Sequence, residues 1–222
     1  MSHCIVDRIR QCEDCKRYTQ VLCTKPKPYV KFNVLEKWKP PKVKVLCIAE
    51  SPPKNGDNSY FYNEKTKGGL KNKLFNLLDI HEETVEKQLQ RFKEKFFLID
   101  AIKCRLDKSQ RISPPTYVIK RCAENFLQQE IDYLRPDKIC VLGGTALEGL
   151  KVLTTLRKEL NQIGKITAYC GKELAISGYN IILCAFPSDR NRKYQSCIES
   201  VFSRLKAGSK TFANGLYSEF GM

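Results

Sequence analysis

Four short apolar runs limit what this chain can fold into: Val43–Ala49 (VKVLCIA), Phe96–Asp100 (FFLID), Lys138–Gly143 (KICVLG) and Asn180–Phe186 (NIILCAF). Each is rich in β-branched or aromatic residues and ends in a turn or polar segment, the pattern of a strand buried on both faces. Between them the apolar period changes to that of a helix. Leu70, Leu74, Leu77 and Leu78 share one face, Glu82–Lys95 reads as a charged surface helix, and Val118, Ile119, Cys122, Phe126, Ile131 and Leu134 recur in helical rhythm within Pro115–Leu134. Tyr194–Leu205 is a further amphipathic stretch, Ile166–Cys170 with Leu174–Ser177 suggests a small extra hairpin, and Thr24–Pro41 reads as a loop. Alternating strand and helix predicts an α/β fold in which helices cover both faces of a parallel sheet. The expectation is three α/β/α layers around a central four-stranded parallel sheet. One domain is expected over residues 1–222, with an N-terminal cysteine segment, residues 1–41, tied to its body. Ligands of such sheets bind beyond the carboxyl ends of the strands, so the segments after Ala49, Ile99, Gly143 and Ala185 are where a site belongs.

Charge narrows the partner. The 222 residues carry 39 Lys plus Arg against 24 Asp plus Glu, a net charge of +15. Such an excess attracts polyanions, nucleic acid foremost, although it also suits a solvated surface kept for solubility. No apolar run approaches the ~20 residues of a membrane span, and Met1–Arg10 has no apolar stretch of signal-peptide type. A cytoplasmic monomer without membrane contact, nucleoid-associated in a prokaryote, is the expectation. Its eleven cysteines are then expected as core residues or metal ligands rather than disulfides.

The cysteines fall into groups. Cys47, Cys140 and Cys184 lie inside strands and read as small apolar core residues, and Cys170 and Cys197 have no partner at ligand spacing. A four-thiolate site needs a short-range pair and two more thiols brought in by the fold; Cys12 and Cys15 with Cys104 and Cys122 supply that pattern. Cys4, Cys12, Cys15 and Cys23 form a rival set that could bind zinc within the N-terminal segment, and structural thiols without metal are the third alternative.

Several segments, in order, resemble the iron–sulfur uracil-DNA glycosylases. They are Ala49-Glu50-Ser51-Pro52-Pro53 after the first strand, Tyr60-Phe61-Tyr62, the run Ile99-Asp100-Ala101-Ile102-Lys103-Cys104-Arg105, and Gln110-Arg111-Ile112-Ser113-Pro114. Cys122, Pro136, Leu142-Gly143-Gly144-Thr145-Ala146 and Phe186-Pro187-Ser188 follow. The likeness runs from Cys12 to about Leu205. It implies a [4Fe–4S] cluster on Cys12, Cys15, Cys104 and Cys122, DNA with a damaged or mismatched base as partner, and a base pocket drawing on Ser51, Pro52, Phe61, Asp100 and Phe186. Three departures stand out: Asp100 occupies the place of the family's pocket Asn, Phe186 that of its late His, and Pro53 that of a Gly. The amide that reads uracil and the helper of the leaving group are thus both replaced. Thymine-mismatch glycosylases also carry an apolar residue in place of that His.

Base removal breaks an N-glycosidic bond, so the sugar gains positive character and the base leaves as an anion. It calls for a carboxylate near the sugar or a water, donors toward the base, and an aromatic face for a base flipped from the stack. Glu50 ends the first strand, where it could orient water or hold the pocket loop; the alternative is a surface carboxylate near Lys54. Asp100 ends the second strand in apolar surroundings, where burial would raise its pKa, unless it only caps the following loop. Asp57 is a reserve carboxylate, and Phe61 is the favoured stacking ring, with Tyr60 and Tyr62 as alternates and the core as its other use. His3 and His81 read as solvated, which argues against histidine catalysis. For phosphates, Gly143, Gly144 and Thr145 open a helix after a strand, and Ser188 leads into Arg190 and Arg192. Arg105, Lys108 and Arg111 are expected to add to the basic surface.

Overall fold

The computed structural model describes residues 2–18, 21–22, 25–54, 56–66, 68–107 and 113–208, with side chains from residue 5 onward. Cys23, Lys108 and Arg111, and the side chains of His3 and Cys4, lie outside the described residues. In chain order the elements are α1 (Ser2–Gln11), β1 (Val21–Leu22), α2 (Pro28–Lys31), β2 (Val45–Ala49), α3 (Gly69–Leu77), α4 (Val85–Lys93), β3 (Phe96–Asp100) and β4 (Arg105–Leu106). They continue with α5 (Thr116–Cys122), α6 (Gln128–Leu134), β5 (Lys138–Leu142), α7 (Gly144–Val152), α8 (Arg157–Leu160), β6 (Glu173–Ile176), β7 (Tyr179–Cys184) and α9 (Gln195–Ala207).

All four apolar runs become strands, and every residue of β2, β3 and β5 is buried, as a sheet covered on both faces requires. The central sheet has the order β3-β2-β5-β7-β6. β3, β2, β5 and β7 are parallel, with Ala49 opposite Asp100 and Cys47 opposite Cys140. The expected four strands gain a fifth, because Glu173–Ile176 folds back antiparallel on β7 at the edge. The expected hairpin partner Ile166–Cys170 is instead a 3-10 turn over Ile166–Tyr169. β6 alternates exposed and covered residues and so carries no continuous apolar run.

α7 packs over β5 and β2 with α5 against it, whereas α9 lies on β7 with α3 beside it, which gives three layers. α5 and α6 run on through a π-helical stretch, Ala123–Leu127. The segment read as a loop, Thr24–Pro41, contains α2 and a π turn, Val34–Trp38, that bury Tyr29, Leu35 and Trp38. Lys and Pro dominate its composition, but those three residues anchor it. Cys47, Cys140 and Cys184 are wholly buried strand residues. Cys170 and Cys197 correct the expectation of reduced thiols: they form a disulfide between the turn before β6 and α9, across a Cα–Cα separation of 6.3 Å. They lie 27 positions apart in sequence, so no local spacing announces the pair.

Candidate active site

The order of the sheet reverses between β2 and β5: the chain leaves β2 toward β3 on one side and returns to β5 on the other. A crevice opens at such a switch point beyond the carboxyl ends. A cleft of about 700 Å³ lies there, lined by Glu50, Ser51 and Pro53 after β2, by Leu98 and Asp100 of β3, by Tyr60 and Phe61, and by Phe186 and Ser188–Asn191 after β7.

Asp100 is buried at the end of β3. Burial raises its carboxyl from 3.8 to about 7; Glu130 and Glu50 push the same way, while Lys103 and Arg105 pull it down. It therefore titrates near neutrality and, when protonated, offers both a donor and an acceptor. Glu50 accepts a hydrogen bond from the Thr145 hydroxyl at 2.6 Å across the switch point. The Ser51 hydroxyl is buried in the cleft wall and has no hydrogen-bond partner among the described residues, a cost of ~1–3 kcal/mol that a bound polar group would relieve.

The rings hold the walls. The Tyr62 hydroxyl donates to the carbonyl of Leu98 (3.0 Å) and accepts from its amide (2.8 Å), closing the outer edge of β3. Phe61 packs against Phe75 and Phe92 at centroid distances of 5.8 and 4.9 Å and only partly faces the cleft. It thus joins the core and the cleft wall. Phe186 lines the opposite side, its carbonyl accepting from the Asn191 amide at 2.8 Å. A Cβ on Gly143 would meet the Phe186 Cβ at 3.0 Å, and Gly143 has φ of +88°, so glycine serves there twice.

Some expected residues have other work. Gly143 and Thr145 were expected at phosphates, yet one backs Phe186 and the other holds Glu50; Gly144 is exposed. Pro52 is buried beside the cleft lining. Asp57 lies outside that lining, held by Lys31 and Arg105, and its contact with Lys31 keeps its carboxyl below the usual range. Arg105 corrects the expectation of a surface cation. It is buried and donates to the carbonyls of Pro53 and Gly56 and to Asp57, so it clamps the loop after β2. Lys54 pairs with Asp107 at 2.6 Å, not with Glu50. Arg190 and Arg192 are exposed beyond Ser188, the first on the cleft and the second on the adjoining groove. His81 is exposed.

Beyond the carboxyl end of β3, where the chain runs on through Ile102 and Cys104, lies a second, smaller apolar cluster. It holds Cys15, Cys104 and Cys122 among Val21, Ile102, Leu106, Val118 and Ile119. The Cys15 and Cys122 thiols hydrogen-bond each other, Cys104 and Cys12 are close enough to act electrostatically on Cys15, and the backbone N–H groups of Asp14 and Lys103 point at Cys12 and Cys122. Among the described residues no group of three or more His, Cys, Asp or Glu side chains is placed to hold a metal ion. Cys12, Cys15, Cys104 and Cys122 would nonetheless supply the four thiolates that an iron–sulfur cluster requires. N–H groups aimed at sulfur are the usual second layer of such sites.

Sequence reading missed a buried ion pair under the cleft, Lys103 with Glu130 at 2.6 Å. One signal was available: Phe126, Glu130 and Leu134 follow at intervals of four, which puts a charge on the apolar stripe of a helix. No described helix is long and apolar enough to cross a membrane. The family model of the uracil DNA glycosylase superfamily matches residues 36–206, a span that includes the cleft, Cys104 and Cys122 but not Cys12 or Cys15. No curated protein matches the chain.

Proposed function

We infer that this chain, which belongs to the uracil DNA glycosylase superfamily, hydrolyses the N-glycosidic bond of uracil or another deaminated base in DNA. The observation that carries the reading is the cleft at the switch point. It presents a buried carboxyl that titrates near neutrality, a serine hydroxyl with no partner among the described residues, and aromatic walls, with exposed Arg190 at its mouth. Protonated Asp100 donates to a base carbonyl and accepts from the adjacent N–H, the pairing that an asparagine amide offers. Ionised, it faces the carbonyl lone pairs and repels them. Glu50, held by Thr145, is the carboxylate for orienting water or steadying positive charge on the sugar. Phe186 gives the base an apolar wall in place of a donor. Ser188, Arg190 and Arg192 contact phosphates and carry no sequence preference.

Cys12, Cys15, Cys104 and Cys122 would hold a [4Fe–4S] cluster, whose chemistry here is that of a structural cross-link. Through it these thiols would pin the N-terminal segment, β4 and α5 to the body. The support is the shared small cluster of three of the thiols and the N–H groups directed at Cys12 and Cys122.

Duplexes bearing a single uracil, hypoxanthine, xanthine or thymine mismatch test the function, with abasic sites as the readout. At least one should be converted. Binding to all of them with no abasic product would favour the second reading, a nucleic-acid-binding protein that has lost catalysis, which Phe186 and Asp100 independently suggest.

A further inference from the structure

Lys103 is almost fully buried and touches four parts of the molecule. Its ammonium donates to the backbone carbonyl of Asp100 at 2.5 Å, forms the ion pair with Glu130 of α6 at 2.6 Å, and lies 5.2 Å from the ring centre of Tyr29 in α2. Its backbone N–H points at the Cys122 thiol. Glu130 is as deeply buried as its partner. Burial pushes its carboxyl up, against which Lys103 and Tyr29 pull it down. A buried ion pair seldom stabilises a fold more than apolar side chains of the same volume would. This one lies beneath the cleft carboxyl and spends one of its hydrogen bonds on the backbone of that residue.

We propose that Lys103 and Glu130 are positioning residues for the cleft, which fix the end of β3 and set the charge that Asp100 carries. The charged and titratable groups facing Asp100 come from every element around it. They are Glu50 after β2, Tyr60 and Tyr62 from the loop before α3, Arg105 of β4, Lys103 on the turn after β3, and Glu130 of α6. Of these, Lys103 favours the ionised form most and Glu130 leads the charges opposing it. The pair therefore places two opposed charges near one carboxyl, and removal of either partner should move Asp100 in a direction known in advance. The bearing on catalysis rests on the reading that Asp100 meets the flipped base; the electrostatic effect does not.

The test follows the carboxyl carbon of Asp100 by NMR in protein labelled at aspartate, titrated from acid to mildly alkaline pH and assigned by its loss in Asp100→Asn. Glu130→Gln leaves Lys103 unopposed and should lower the midpoint by about one pH unit. The double variant Lys103→Met with Glu130→Gln leaves no unpaired charge. It should bring the midpoint to or slightly above that of the unaltered protein, because the stronger of the two influences is gone. The alkaline limb of base excision should move in step, which a purely structural role would not produce. A Glu130→Gln midpoint that stays in place or rises overturns the proposal. So does a double variant whose midpoint falls, which also decides the matter should the single variant not fold. The titration needs no catalysis: the expected shifts without excision of any base would sink the glycosylase reading alone, and excision with unmoved midpoints would sink this inference alone.

Discussion

The two apolar clusters of this protein are built on different principles. The larger one runs through the sheet and the helices on both its faces, and it buries large side chains such as Trp38, Phe97 and Phe202. The smaller one, beside β4 and α5, has eight buried members, of which three are cysteines, and its only strands are the two-residue β1 and β4. Area buried by Val, Leu and Phe is ample for the first and scant for the second. A corner with so little apolar surface is where a cross-link adds most to order. The cleft lies where the two regions meet: Asp100 ends a strand of the large core, and Lys103 and Cys104 lead from it into the small one.

The largest expected effect separates the two regions outright. Protein purified without oxygen should carry about four irons. Cys104→Ala or Cys122→Ala should lose them and leave residues 12–18 open to protease, while the sheet and the residues anchored in it stay folded; Cys4→Ala or Cys23→Ala should keep the iron. Stoichiometric zinc dependent on Cys4 and Cys23 would undo the contrast as drawn. The converse is Phe202→Ala, which should cost ~3–5 kcal/mol in denaturant unfolding of the sheet core and leave the iron count unchanged.

At the boundary, Asp100→Ala should reduce excision of the best substrate roughly tenfold, since an unsatisfied base edge costs ~1–3 kcal/mol. Excision by the unaltered protein should fall as pH rises through about 7, where Asp100 loses its proton. The same shift bears on stability. Asp100 is protonated more readily folded than unfolded, so its contribution is fully present below its ordinary 3.8 and is lost as pH climbs to about 7. Undiminished excision by Asp100→Ala would remove this residue from base recognition. The smallest effect concerns the rim of the large core. Arg190→Ala or Arg192→Ala should weaken binding to any sequence alike and reduce the salt slope by about one. Because that rim belongs to the sheet region, nonspecific binding should survive removal of iron.

What could be read along the chain was what repeats or runs in it. Apolar runs located every parallel strand, and the alternation with helical periods placed the site at the carboxyl ends, where the cleft is. FFLID pointed to a buried Asp100, with a cap on the following loop as the alternative, and the structure buries it. β6 escaped, since an edge strand with one covered face has no apolar run to detect. The stretch Thr24–Pro41 misled by composition, because Tyr29, Leu35 and Trp38 pack into the core between lysines that do not.

Partners across the fold are another matter. Arg105 looks like any surface cation in sequence, and only the return of the Pro53–Asp57 loop buries it. Thr145 reaches Glu50 over 95 residues, Cys170 meets Cys197 over 27, and Glu130 of α6 finds Lys103 over 27. Period and polarity report which face of an element is covered. They do not report what covers it, since that depends on how whole elements pack against one another. The sequence alone therefore determined a parallel sheet, its buried carboxylate and the place of its cleft. The tertiary structure decided which charges surround that carboxylate, and so whether it meets a ligand as an acid or as an anion.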